Sequence, residues 1–199
     1  LCGEDYTVDR MMERLLRDKP FFRKDGGVTI SGGECLSQPI FTLELLRRLK
    51  EEGIHTALDT TGYAPWEIVE QTLPYTDLYL LDLKHMDNER HLKTVGVLNV
   101  RIHENARKIA AAGGKFQIRI PVIPLFNDDE ENIRATAEFC RELGGAVELV
   151  QLLPYHNLGV SKHLRISDGA VAEATPPSDE KMQRLKKIME EYGLAVIIH

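Results

Sequence analysis

Polar and glycine-rich segments follow several short apolar runs of this sequence, and they contain the residue types best able to do chemistry. The first is at 29–34, where a β-branched run stops at Gly32-Gly33 and is followed by the carboxylate of Glu34. Because glycine has no Cβ, a bound molecule can approach this turn closely enough to use main-chain N–H and C=O groups. A strand that ends in Gly-Gly is more often a plain turn, so the interpretation as a ligand site depends on the segments that follow.

Charged and polar residues also lie where the later apolar runs end. Ligands of parallel α/β folds bind at the C-terminal ends of the strands. A buried charge at such a place is unfavourable unless something compensates it, so charges at several strand ends favour a polar site. The residues concerned are Asp59, Thr60, Asp82, Lys84, Arg119 and His156.

Each of these residues also has a structural interpretation. Asp59 suits an N-cap or an Asx-turn. Asp82 and Lys84 are two apart on a strand, hence on one face, and suit a mutual ion pair. His156 suits a hydrogen-bonded loop histidine, and we predict that His85, His91 and most other histidines lie at the surface.

The elements that position these residues follow from the periodicity of the chain. Short runs rich in Val, Ile, Leu and Tyr alternate with longer amphipathic segments, which is typical of repeated βα units and a parallel sheet. Strands are predicted at 27–31, 55–60, 77–83, 115–122, 147–153 and 194–198, and helices at 8–18 (capped by Thr7), 41–52, 65–72, 99–112, 129–143 and 178–192. The segment 157–175 is interpreted as a long loop.

Composition bounds the class of protein. A chain of 199 residues with 43% hydrophobic content is large enough for one core, so we expect a single domain over 1–199. The net charge of -6 argues against nucleic acid as a partner, and no apolar run is long enough to span a membrane. The sequence begins without a basic, apolar leader, so we expect a cytoplasmic protein. The three cysteines, Cys2, Cys35 and Cys140, lack the spacing of a disulfide framework or of a metal site.

Taken together and in order, the segments at the strand ends resemble those of the glycyl radical enzyme activating enzymes. The resemblance runs from about residue 7 to residue 198. The segments are Ser-Gly-Gly-Glu at 31–34, Leu-Asp-Thr-Thr-Gly-Tyr at 58–63, Leu-Asp-Leu-Lys-His-Met at 81–86, Ile-Arg-Ile-Pro-Val-Ile-Pro at 118–124 and Leu-Leu-Pro-Tyr-His-Asn-Leu-Gly at 152–159.

This resemblance implies a fold and a set of ligand-binding residues. The fold would be α/β, a partial (β/α)6 TIM-like barrel of the radical S-adenosylmethionine type. The residues implied to bind S-adenosylmethionine are Gly32, Gly33, Glu34, Asp82, Leu83, Lys84, Arg119 and His156, the first three receiving the amino end through backbone groups. A monovalent cation site is implied at Asp59, Thr60, Asp82 and the carbonyl of Leu80. Two aspartates that converge with the methionine carboxylate would repel one another unless a cation lay among them.

The resemblance also implies a reaction and partners. A 4Fe–4S cluster would cleave S-adenosylmethionine reductively, and the resulting 5′-deoxyadenosyl radical would remove a hydrogen atom from a glycine of a partner enzyme such as pyruvate formate-lyase. Flavodoxin or ferredoxin would supply the electron.

The sequence departs from the family in its cysteines. The Cys-x3-Cys-x2-Cys motif that holds the family's cluster is absent, so we expect an N-terminally truncated chain that lacks the first strand, the cluster ligands and catalytic residues, and is inactive alone. Two smaller departures are Cys35, where proline is usual, and Leu125, where glycine is usual.

Two other classes of protein fit the same residues. Carboxylates, His156 and Lys84 at strand ends would suit a metal-dependent or Schiff-base aldolase on a barrel. A binding domain without catalysis is the other alternative.

Overall fold

Helices and strands alternate along the chain as the sequence predicts. The computed structural model describes residues 4–22, 26–156 and 175–199. The strands are β1 (Gly27–Ile30), β2 (His55–Thr60), β3 (Leu78–Asp82), β4 (Phe116–Val122), β5 (Val147–Pro154) and β6 (Val196–Ile198). The helices are α1 (Val8–Asp18), α2 (Pro39–Glu51), α3 (Trp66–Thr72), α4 (Asn88–Val95), α5 (Val100–Ala111), α6 (Glu130–Leu143) and α7 (Asp179–Glu190). The six strands form one sheet in chain order, and the β1–β2, β2–β3 and β5–β6 pairs are parallel, so the predicted α/β architecture is confirmed.

The predicted bounds agree with the observed ones to within two residues, but one helix was not predicted. This is α4, which Asp87 caps by accepting a hydrogen bond from the backbone N–H of Arg90 at 2.8 Å. Gly96 ends it with a left-handed φ of 88°. The predicted loop at 157–175 lies almost wholly outside the described residues.

Contacts divide the chain into two compact units, of which the first comprises residues 1–81 and 101–116. In it β1, β2 and β3 lie side by side in parallel register, with Asp59 opposite Leu80. A Cβ on Gly27 would lie 2.2 Å from the carbonyl oxygen of His55, so only glycine allows β1 this close to β2. The core of this unit is built from fully buried side chains, among them Leu46, Leu49, Leu58, Tyr79, Ile109 and Phe116.

The second unit comprises residues 82–100 and 117–199. It contains α4, α6, α7, β5, β6 and most of β4, and β5 pairs with β6 in the register Val150 to Val196. The inward residues of β4 alternate along the strand, which leaves Ile118 and Ile120 fully buried with Ile133 and Leu152. This alternation is the period-2 pattern that predicts a strand.

In the part of the chain that the structure describes, none of the helices combines the length and the apolar character needed to cross a bilayer.

Candidate functional site

The turn after β1 exposes the backbone of two glycines. Gly32 has a φ of 146°, a region that side chains disfavour, and both Gly32 and Gly33 are exposed. A Cβ built on either residue meets no atom within 4 Å. A side chain here would therefore project into open space that a ligand can use.

The Glu34 carboxylate is bonded to the turn that follows β2. Its Oε1 accepts hydrogen bonds from the Thr60 hydroxyl at 2.8 Å and from the backbone N–H of Leu36 at 3.0 Å. Its Oε2 accepts from the backbone N–H and the hydroxyl of Thr61, at 2.8 and 2.7 Å. Burial alone would raise the pKa of the Glu34 carboxyl, but the hydrogen bonds from Thr61, Leu36 and Thr60 together hold it below its usual range. The side chain is therefore an ionised, half-buried acceptor.

Two further contacts join the end of β1 to the end of β2. The Ser31 hydroxyl donates to Asp59 Oδ2 at 2.9 Å, and the Cys35 thiol donates to the carbonyl of Asp59 at 3.2 Å. Burial, aided by the neighbouring Glu34 carboxylate, raises the pKa of the Cys35 thiol to about 12. Cys35 is therefore a neutral thiol that packs and donates, and it has no thiolate character.

A cavity of about 430 Å³ lies beside the two glycines. Its volume falls within the range of about 300–1,000 Å³ that is usual for small-molecule sites. Its lining includes the acidic residues Glu4, Asp5 and Glu34, of which Glu4 forms an ion pair with Arg10 at 3.7 Å, and none of the described residues that line it is lysine or arginine. Other lining residues are Tyr6, Met11, Ile30, Gln38 and Phe41. The cavity therefore suits a ligand that carries positive charge.

The remaining predicted site residues belong to the second unit. Asp82 forms an ion pair with Arg119, at 3.6 Å between Oδ1 and Nε, and the backbone N–H of Leu83 donates to the carbonyl of Arg119 at 2.9 Å. Lys84 is half-buried, and His156 is exposed at the last described position after β5. That these residues share one cavity with Gly33 and Asp59 stays a prediction.

Two histidines contradict the sequence interpretation. His85 and His91 are only 5% and 2% exposed, so the prediction that they lie at the surface is wrong. His85 Nδ1 accepts from the backbone N–H of Asp87 at 2.9 Å, and its ring packs against Phe126 with centroids 5.3 Å apart. Desolvation by burial, aided by the positive charge of Arg90, lowers the pKa of His85. The histidine is therefore a neutral part of the packing in this unit.

Sequence reasoning also missed a buried asparagine that fixes the loop after β4. The Asn127 side chain donates to the carbonyls of Lys84 and Pro121, at 2.6 and 2.7 Å, and accepts from the backbone N–H of Ile123 at 2.7 Å. The asparagine thus positions the backbone of Lys84. The local signal was Asn127 directly after Phe126 in a turn, but its partner is 43 residues away.

A metal centre built only from His, Cys, Asp or Glu side chains is not found among the described residues. Over residues 4–22, 26–156 and 175–199, no three His, Cys, Asp or Glu side chains are grouped to hold a metal ion. Asp59 and Leu80 are opposite each other across β2 and β3, as the predicted cation site requires, and the Thr60 hydroxyl accepts from the backbone N–H of Gly62 at 3.1 Å. The cation site at Asp59, Thr60, Leu80 and Asp82 stays a prediction.

Similarity to known proteins agrees with this architecture. The family model of the radical SAM superfamily matches residues 2–139. The isethionate sulfite-lyase activating enzyme of Nitratidesulfovibrio vulgaris is 42% identical over 193 residues, which cover 95% of this chain and 62% of that protein. The pyruvate formate-lyase 1-activating enzyme of Escherichia coli K12 is 39% identical over 201 residues, covering 98% of this chain and 80% of that protein. A crystal structure of a domain of pyruvate-formate lyase-activating enzyme from Bacteroides vulgatus is 38% identical, with a TM-score of 0.74, and covers 87% of this chain and 99% of that domain.

The chain therefore belongs to the radical SAM superfamily and, within it, to the activating enzymes of glycyl radical enzymes. The predicted partial-barrel fold of the radical S-adenosylmethionine type is confirmed, and the aldolase alternative is wrong. Enzymes of this family use S-adenosylmethionine and a 4Fe–4S cluster. The chain spans less than two thirds of the length of the Nitratidesulfovibrio enzyme.

Proposed function

We propose that this chain carries the S-adenosylmethionine-binding part of an enzyme that generates a glycyl radical on a partner enzyme. The observation that carries this proposal is the exposed Gly32-Gly33 turn beside a cavity of about 430 Å³. The backbone of Gly32 and Gly33 receives the amino end of the methionine moiety. The acidic residues Asp5 and Glu34 in the lining favour a ligand that carries an ammonium and a sulfonium, whereas Glu4 is paired with Arg10.

The residues of the second unit take the remainder of S-adenosylmethionine. Asp82, Leu83, Lys84, Arg119 and His156 have this role by similarity to the family. The ion pair between Asp82 and Arg119 and the contact of Asn127 with the Lys84 carbonyl support it, because both hold the ends of strands in fixed positions. The monovalent cation is proposed at Asp59, Thr60, Leu80 and Asp82.

The described residues fit S-adenosylmethionine but not the 4Fe–4S cluster. Clusters are held by cysteine thiolates, whereas Cys35 and Cys140 are buried and each has a pKa raised by that burial to about 12. When both groups are bound in an activating enzyme, they supply the reductive cleavage that begins the radical reaction. The residues of this chain orient the ligand and exclude water from it.

The proposed partners follow from the same reaction. The hydrogen donor is a glycine Cα of a glycyl radical enzyme, and the electron donor is a small redox protein such as flavodoxin or ferredoxin. The relatives named above act on different lyases, so the particular partner is left open.

A pair of glycine substitutions tests the proposal. Gly33→Val places a side chain in the cavity, while Gly145→Val is a matched control, since a Cβ at either position meets no atom within 4 Å. We expect Gly33→Val to weaken S-adenosylmethionine binding by at least about tenfold in calorimetry, and Gly145→Val to bind as the unsubstituted chain does. Equal affinity of the Gly33→Val chain and the unsubstituted chain would contradict the proposal.

A further inference from the structure

The two exposed glycines lie between two sets of hydrogen bonds that run from the end of β1 to the end of β2. Ser31, directly before them, donates to Asp59 Oδ2 at 2.9 Å. Glu34, directly after them, accepts from Thr60 and Thr61. Both ends of the Gly-Gly turn are thus tied to the same neighbouring strand.

The turn itself has little to hold it in one conformation. Gly32 and Gly33 have no side chains to pack, both are exposed, and glycine loses more conformational freedom on ordering than any other residue. Its order must therefore come from the residues at its ends. Glu34 contributes most of these bonds.

The Glu34 carboxylate has little capacity left for a ligand. A carboxylate offers about four lone-pair sites. Glu34 already accepts four hydrogen bonds from N–H and O–H groups, two at each oxygen, and Oε1 also accepts a longer one from the Cys35 thiol at 3.7 Å. All of the donors belong to the protein, two of them backbone N–H groups. The side chain is directed to Thr60 and Thr61, while the glycines present their backbone to the cavity.

We propose that Glu34 is a positioning residue: its carboxylate fixes the Gly32-Gly33 turn against the turn after β2, so that a ligand meets an ordered backbone without touching the carboxylate. The identity of that ligand, S-adenosylmethionine, rests on the proposed function, but the ordering of the turn does not. Such ordering raises affinity because the cost of fixing the glycines is met on folding and not on binding.

Glu34→Gln is the principal test variant. The amide –NH₂ of glutamine must face either the backbone N–H of Leu36 or that of Thr61, and neither group can accept a hydrogen bond. Thr61→Val removes one hydroxyl donor and serves as a milder variant if Glu34→Gln does not fold, and Thr61→Ser restores the hydroxyl. Glu70→Gln, on the exposed face of α3, is the matched control.

Two readouts separate positioning from ligand contact. Backbone order parameters of Gly32 and Gly33, measured by ¹⁵N relaxation without ligand, should fall from about 0.85 to below about 0.6 in Glu34→Gln. S-adenosylmethionine affinity should fall by about tenfold in the same chain. For Thr61→Val, both the order parameters and the affinity should lie between those of Glu34→Gln and those of the unsubstituted chain. For Thr61→Ser and Glu70→Gln, both should match the unsubstituted chain.

The outcomes distinguish this inference from the proposed function. Unchanged order parameters in both Glu34→Gln and Thr61→Val overturn it, and so does an affinity loss without a change in order, which would mean that Glu34 touches the ligand. If the order parameters fall in Glu34→Gln and the unsubstituted chain itself binds no S-adenosylmethionine, the positioning role is supported and the proposed function is overturned instead.

Discussion

At the scale of single residues, the hydrogen bonds of Glu34 decide how the first unit responds to acid. The pKa of Glu34 is lower in the folded state, so its contribution to stability is present above the unfolded pKa and is lost as the pH falls through the folded one. Asp77 behaves in the same way, because hydrogen bonds from Lys50 and Thr56 outweigh the effect of its burial and lower its pKa.

The first prediction concerns this acid response. Glu34→Gln should lower the free energy of unfolding at pH 7 by about 1–3 kcal/mol, since hydrogen bonds to a charged group are lost. It should also flatten the decline in stability below about pH 4.5, because the group that titrates there is gone. Urea unfolding between pH 7 and pH 3 measures both, with Glu70→Gln as control. If the stability of the Glu34→Gln chain declines with falling pH as steeply as that of the unsubstituted chain, Glu34 is not the group that titrates there.

The second prediction concerns Leu125, at a position where the resemblance described above implies glycine. It has a left-handed φ of 65° and a fully exposed side chain. A left-handed conformation costs a non-glycine residue about 1–2 kcal/mol, and glycine costs about 0.5–1 kcal/mol in unfolded-state entropy. Leu125→Gly should therefore raise the free energy of unfolding by about 0.5–1 kcal/mol, whereas the β-branched Leu125→Ile should lower it. Urea unfolding at pH 7 measures the ranking of the three stabilities. A Leu125→Gly chain less stable than the unsubstituted chain would contradict the prediction and show that the Leu125 side chain makes stabilising contacts.

At the scale of elements, the sequence predicts most strands and helices because their apolar residues repeat with the period of the element. Helix α4 was not predicted because its apolar residues Leu92 and Val95 face solvent while His91 is buried, which is the reverse of an amphipathic pattern. For the candidate site, the sequence predicted which residues lie at the ends of the strands. The partners of Glu34 were not, because Thr61 lies 27 residues away and the contact depends on the register of β1 against β2.

The third prediction concerns strand β1. Among the described residues β1 is the outer strand of the sheet, paired with β2 alone, so its outward backbone groups are open to water or to another chain. Neighbouring residues of a strand direct their N–H groups to opposite sides, so one of the Val28 and Thr29 amides points away from β2. In a monomeric sample, the faster-exchanging amide of Val28 and Thr29 should exchange well before those of Ile118 and Ile120 in β4. Hydrogen exchange measures this, and equal protection of all these amides without a covering segment would contradict the edge position.

At the scale of the whole molecule, the chain fits the two groups used by its family unequally. The Gly32-Gly33 turn and its cavity suit S-adenosylmethionine. The cysteines do not suit a 4Fe–4S cluster, since Cys35 and Cys140, two of the three in the sequence, are buried.

The fourth prediction follows from the cysteines. The 199-residue chain, reconstituted anaerobically with iron and sulfide, should retain no stable 4Fe–4S cluster and should not cleave S-adenosylmethionine. Visible absorbance, iron content and deoxyadenosine formation are the measurements. A stoichiometric cluster with deoxyadenosine formation would show that the described thiols become accessible.

The most direct test of the central claim is a titration of the ¹⁵N-labelled chain with S-adenosylmethionine, followed by amide chemical shifts. The claim is that the backbone of Gly32 and Gly33 receives the ligand. We predict saturable shifts of these two amides and no shift of Gly145. Gly145 precedes the N-terminal end of β5, whereas the proposed ligand residue His156 follows the C-terminal end of that strand. Unchanged Gly32 and Gly33 resonances at saturating ligand would contradict the account.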